Sequence, residues 1–154
     1  MKKIICSILV VILTMVMVGC NSSKRFDVSK LDKSIYDALQ QSKDVTLLVK
    51  EQTITPQTEE ITLVYTNNSS KEYIYGEEPH LEMEVDGIWY VIPVLDDAAW
   101  HEMGCILSPK DSRGDIFTIK TYYGKLEPGN YRIIKKLHSD GEPIFIIGEF
   151  KVEE

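Results

Sequence analysis

The sequence predicts an all-β fold, an antiparallel β-sandwich of about seven to nine short strands. Three observations carry that expectation. From Asp44 onward apolar residues alternate with polar ones, which is the period of strands with one buried face. Runs rich in Val, Ile, Thr and Tyr are interrupted at short intervals by Gly, Pro, Asn, Asp and Ser, the residues that turns require. A helical period occurs near the start and then disappears.

That period lies in residues 29–41, "SKLDKSIYDALQQ", where Leu31, Ile35 and Leu39 stand four apart behind a Ser-x-x-Asp capping pattern. A short helix with a thin apolar stripe is expected there, at the edge of the domain. "DVTLLVKEQTIT" and "EEITLVYTNN" follow as strands, bounded by Pro56 and by residues 67–70. In the second, Ile61, Leu63 and Tyr65 share one face, and Thr62 and Thr66 share the other. "KEYIYGEE" predicts another short strand. "HLEMEVDGIWYVIPV" predicts a hairpin about Asp86-Gly87, a dipeptide suited to the positive φ angles of a two-residue turn. Its first strand alternates Leu81, Met83 and Val85 with His80, Glu82, Glu84 and Asp86. The acidic set is expected to be a solvated outer face that discourages edge pairing. Carboxylates spaced about 7 Å apart on a strand do not build the closed cage of calcium. Pro93 places the end of the return strand at an edge. Residues 95–112 form a long irregular stretch, followed by "RGDIFTIK", "NYRIIKKL" and "PIFIIGEFKV" as closing strands.

Within "YGKLEPGNYRIIKK", Leu126 precedes a turn at Pro128 and Gly129, and Tyr131 heads a strand. This order resembles the corner of immunoglobulin-like sandwiches, where a tyrosine hydroxyl bonds back to upstream backbone. Taken in order, "ITLVYTNNSSKEYIYG", "DGIWYVIP", "LEPGNYRI" and the terminal "GEFKV" are similar to the bacterial immunoglobulin-like domains of small Gram-positive lipoproteins. The resemblance covers residues 44–154. It implies an immunoglobulin-like β-sandwich outside the cytoplasm, without established enzymatic chemistry, and it carries over no catalytic residue.

The N-terminus points to the same compartment. Lys2 and Lys3 form a basic head, and residues 4–18 an apolar core shorter than the roughly 20 residues of a membrane span. Met17, Val18, Gly19 and Cys20 resemble the lipobox of bacterial lipoproteins. The resemblance implies cleavage between Gly19 and Cys20 and a diacylglycerol on the Cys20 thiol. Two acyl chains suffice for stable anchoring, so residues 1–19 are expected to be a signal peptide and residues 20–43 a lipidated tether with the short helix. No other cofactor is expected. Loss of Lys2 and Lys3 leaves 15 basic against 24 acidic residues, 15 − 24 = −9, a charge that repels nucleic acid. Cys6 departs with the signal and Cys20 is occupied. Cys105 alone remains, so the 154 − 19 = 135 residues left close no internal disulfide and depend on their core.

No enzyme is expected. His138, Ser139 and Asp140 are adjacent, and neighbours in sequence do not converge as nucleophile, base and orienter; with Gly141 they predict a hairpin turn. "HEMGC" offers His101 and Cys105, at most two ligands where structural zinc takes four. The working surface is expected in residues 95–112, because long loops on rigid scaffolds carry recognition. Trp100 is the candidate anchor, flanked by Asp96, Asp97, His101 and Glu102. The competing expectation has Trp100 and Ile106 pinning the loop over the core, with Cys105 buried. The sequence therefore favours a membrane-anchored binding module for an envelope protein, peptide or glycan. A small-ligand or metal-binding lipoprotein using the 95–112 loop is the alternative.

Overall fold

The computed structural model describes residues 27–36, 41–78 and 80–154. The signal segment, the Gly19–Cys20 junction and the tether to residue 26 lie outside these residues. The strands are β1 (Val45–Val49), β2 (Ile61–Asn67), β3 (Tyr73–Tyr75), β4 (Leu81–Val85), β5 (Ile88–Val91), β6 (Cys105–Leu107), β7 (Ser112–Phe117), β8 (Gly129–His138) and β9 (Ile144–Val152), with one helix, α1 (Ile119–Tyr123).

They form two antiparallel sheets, as the alternation predicts. The smaller has the order β1-β2-β7. The larger is built around β8, which pairs with β9 from Gly129 to Leu137. On its other side β8 meets β4 at Tyr131–Ile133 and β3 at Leu137 and His138. β5 extends β4, and β6 extends β3. Alternation decides what faces inward: in β2, Ile61, Leu63, Tyr65 and Asn67 are buried while the residues between them are half-buried. Facing residues Leu81, Tyr131, Ile133, Leu137 and Ile146 complete the core, and the Tyr65 and Tyr75 rings stack at 4.4 Å. Each such side chain contributes about 1.5–3 kcal/mol through burial.

Local chemistry sets the connections. Asp86 and Gly87 take φ of 53° and 77°, the paired positive angles that let a two-residue turn follow strand twist. α1 carries the chain from the small sheet to the large one and stops at Gly124, φ 66°. At the next corner the Tyr131 hydroxyl donates to the Glu127 carbonyl at 2.8 Å.

The segment before β1 departs from the helix expected over residues 29–41. Among the described residues of this segment a single 3-10 turn forms, Val28–Lys30, with the Asp27 side chain accepting from the Ser29 N–H. Residues 31–34 run along β5 instead, Lys33 bridging Tyr90, the chain bends at Ile35, and residues 37–40 lie outside those described. The reason is the free edge of β5, which offers backbone partners a lone helix does not. The Ser34 N–H donates to the Trp89 carbonyl and the Val91 N–H to the Asp32 carbonyl, both at 2.9 Å. Leu31 packs against the core, whereas Ile35 stays 78% exposed. Tyr36 then sets its ring edge-on to His80 and against Phe145. At the far edge, Gln41 and Ser42 donate to backbone carbonyls of Ile147 and Phe145 in β9. Residues 31–36 are thus a belt over the outer face of the large sheet beside β5, and residues 41–42 are held at β9.

The belt overturns the expectation of a solvated acidic face at Glu82. Glu82 is fully buried, and its partner across the sheet is Arg132. Arg132 Nε and Nη2 reach Glu82 Oε2 at 2.7 and 2.6 Å, and Nη2 also donates to Ser34 Oγ at 3.0 Å. The guanidinium lies 4.4 Å from the centre of the Trp89 ring. Burial works to raise the Glu82 pKa, but hydrogen bonds from His80, Ser34 and Arg132 outweigh it and hold the carboxyl below its ordinary value. Among the described residues no helix is long and apolar enough to cross a membrane.

Candidate recognition surface

Beyond the belt, the outer face of the large sheet is uncovered at β3 and β6. Alternation dictates which side chains appear there. In β6, Leu107 points inward and is fully buried, so its neighbour Ile106 must point out, 52% exposed. Ile106 faces Ile74 of β3 across the ladder, and Ile74 in turn faces His138 of β8. The stretch expected to be irregular over residues 95–112 therefore contains a strand, and it ends in the first residue of β7.

The loop before β6 folds back over this row. Trp100, His101, Glu102 and Met103 line a groove of about 390 Å³ together with Ile74 and His138. Gly104 permits the approach, since a Cβ there would meet Ile74 Cγ2 at 2.9 Å. The His101 N–H donates to Glu77 Oε2 at 3.2 Å, tying the loop to the connection between β3 and β4. Trp100 and Met103 remain exposed. Trp100 and Ile106 accordingly do not pin the loop over the core, because Leu107 already fills that place. Asp96 and Asp97 do not join the groove. They sit at the loop's base, where the Leu95 N–H donates to the Tyr122 carbonyl and Ala98 closes a turn onto Leu95.

Cys105 is half-buried, its Sγ 3.9 Å from Arg113 Nη2. Among the described residues no group of three or more His, Cys, Asp or Glu converges as a metal site. His138 ends β8 on the sheet, and Gly141 takes φ 120° in the turn that follows.

A second polar constellation lies between the sheets, where three-residue β6 leaves the sandwich partly open in a cleft of about 370 Å³. Asp115 accepts from the Tyr75 hydroxyl and from Arg113 Nε. Lys135, buried, donates to the carbonyls of Gly76, Glu77 and Glu78 at 3.3, 3.1 and 2.8 Å. Desolvation pulls the Lys135 pKa down to about 8, against the pull of nearby carboxylates. Burial, then the bond to Asp115, pushes the Tyr75 hydroxyl well above its usual range. These bonds make the cleft a structural seam, and Arg113 and Asp115 place charge on an edge strand's inner face, where it deters strand addition. The sequence offered no signal for this network, because its side chains come from three separate strands, β3, β7 and β8.

Two antiparallel sheets, a tyrosine corner and an exposed groove beside an edge strand define an immunoglobulin-like interaction scaffold. The chain belongs to the bacterial Ig-like domain family, whose model matches residues 41–151. Domains of this family are generally non-enzymatic and serve binding or interaction. No curated protein matches the chain.

Proposed function

We propose that the protein is a lipid-anchored lipoprotein of the extracytoplasmic membrane face that recognises an envelope partner through the groove beside β6. The observation carrying this reading is the exposed apolar row. Ile74, Trp100 and Met103 line one groove, and Ile106 faces Ile74 across the ladder beside it, each 37% exposed or more. Apolar residues gathered on one patch mark interaction sites in a way that single scattered ones do not, and tryptophan is enriched among binding hot spots. The lipobox-like Met17–Cys20 supports the anchor, and the acidic chain supports a partner other than nucleic acid.

Two measurements test the two halves. Cys20→Ser is expected to move the protein from the membrane fraction to the soluble fraction; retention in the membrane refutes the lipid anchor. In cells cross-linked at the surface, Ile106→Asp is expected to lose the neighbours that the wild-type chain captures. An unchanged set of neighbours refutes the groove as the recognition surface.

A further inference from the structure

The free edges of the two sheets are not equivalent. β5 is taken by the belt, and β7 carries inward-facing Arg113 and Asp115. β6 pairs with β3 on one side and, among the described residues, with nothing on the other. The groove beside it is apolar at its floor and acidic at its rim. Ile74 and His138 are shared with a second groove of about 580 Å³, so the two form one trough across the end of the sheet. Glu77, Glu78 and Glu102 border the first part, and Glu72 and Asp140 the second, against Lys71 as the one lysine or arginine of either lining.

We propose that this trough docks an extended, cationic segment of a partner polypeptide, an assignment that rests on the recognition surface proposed above. An extended segment at β6 adds main-chain hydrogen bonds and sends alternate side chains to one face. On that face an apolar side chain covers Ile74 and Ile106, and lysine or arginine side chains reach Glu77 and Glu102. Charge complementarity selects the partner. A second copy of this chain would bring the same acidic rim against itself, and anionic lipid headgroups are repelled for the same reason.

The test uses the full-length lipidated chain in nonionic detergent and two labelled dodecapeptides, one alternating lysine with valine and one alternating glutamate with valine. Fluorescence anisotropy is expected to detect binding of the lysine peptide alone. Glu77→Gln with Glu102→Gln should weaken it about tenfold, on the order of two exposed ion pairs, and Ile106→Ser should weaken it as well. Asp96→Asn with Asp97→Asn removes equal charge away from the trough and should change affinity less than about twofold. Equal binding of both peptides, equal weakening by the Asp96 and Asp97 pair, or indifference to Ile106→Ser overturns the proposal. The surface cross-linking separates the two levels. If the peptides fail while Ile106→Asp still abolishes captured neighbours, the cationic segment is wrong and the surface stands. If the neighbours are indifferent to Ile106→Asp, the surface itself is wrong.

Discussion

Removing the Glu82 carboxylate should destabilise the domain far more than removing a surface charge. Glu82 and Arg132 have side chains 0% and 7% exposed, and Arg132 also holds Ser34 of the belt. Glu82→Ala breaks this buried ion pair by removing one partner, for which about 3–5 kcal/mol is the ordinary cost. A solvated carboxylate would cost within about 0.5 kcal/mol. With a urea slope of about 1–3 kcal/mol per molar, the midpoint should fall by about 2 M. Glu82→Leu combined with Arg132→Met should recover most of the loss, because replacing both charges removes their desolvation as well as their attraction. The pH dependence has a definite sign. Because the folded-state pKa of Glu82 lies below its unfolded value near 4.5, its contribution is present above that value and is lost as pH falls through the folded one. Glu82→Gln should flatten this part of the acid limb. A loss below about 1 kcal/mol for Glu82→Ala, or an acid limb unchanged in Glu82→Gln, would refute a closed belt over a buried pair.

Three further outcomes are expected. Lys135 titrates near 8 in the folded chain against 10.5 for an unperturbed lysine, so the unfolded chain binds the extra proton and stability should rise between those values. Lys135→Met should abolish that rise in urea melts taken across the window; above about pH 10 the buried Tyr65, Tyr75 and Tyr123, held neutral by burial, act in the opposite sense. Tyr131→Phe removes the corner hydrogen bond to Glu127 and should cost about 1–2 kcal/mol in the same melts. Trp100→Ala should lower stability by less than about 1 kcal/mol, since the ring is 37% exposed and outside the core, and a larger thermal loss would return Trp100 to a packing role.

What was legible in the sequence is what local pattern encodes. Ile61, Leu63 and Tyr65 of β2, the Asp86-Gly87 turn and the Leu126 to Tyr131 corner are written in neighbouring residues, and the two sheets followed from them. The groove was half legible: Trp100, His101 and Glu102 reach it, but Asp96 and Asp97 do not, because distance along a loop does not fix where the loop doubles back. Ile74 and His138 join it only through ladder register, which no short stretch of sequence states. The belt and Glu82 were missed for one shared reason. Leu31, Ile35 and Leu39 satisfy a helical period, yet the open edge of β5 offered residues 32–34 stronger partners, and the extended chain then covered a carboxylate that alternation alone would leave in water. Context prevailed over propensity, as it does wherever a short segment meets an unpaired strand.

The belt also constrains the order in which the molecule can be completed. Ser34 is held by Arg132, a contact spanning 98 residues of chain, and Trp89 supplies its backbone partner. During synthesis residues 31–36 emerge before any surface on which they can settle. Their partners exist only once the β4–β5 hairpin and β8 have paired. Long-range closure of this kind is slow to be rewarded in folding. The earliest described residues to be made are therefore among the last to find their place, and the buried charge pair is sealed only when they do.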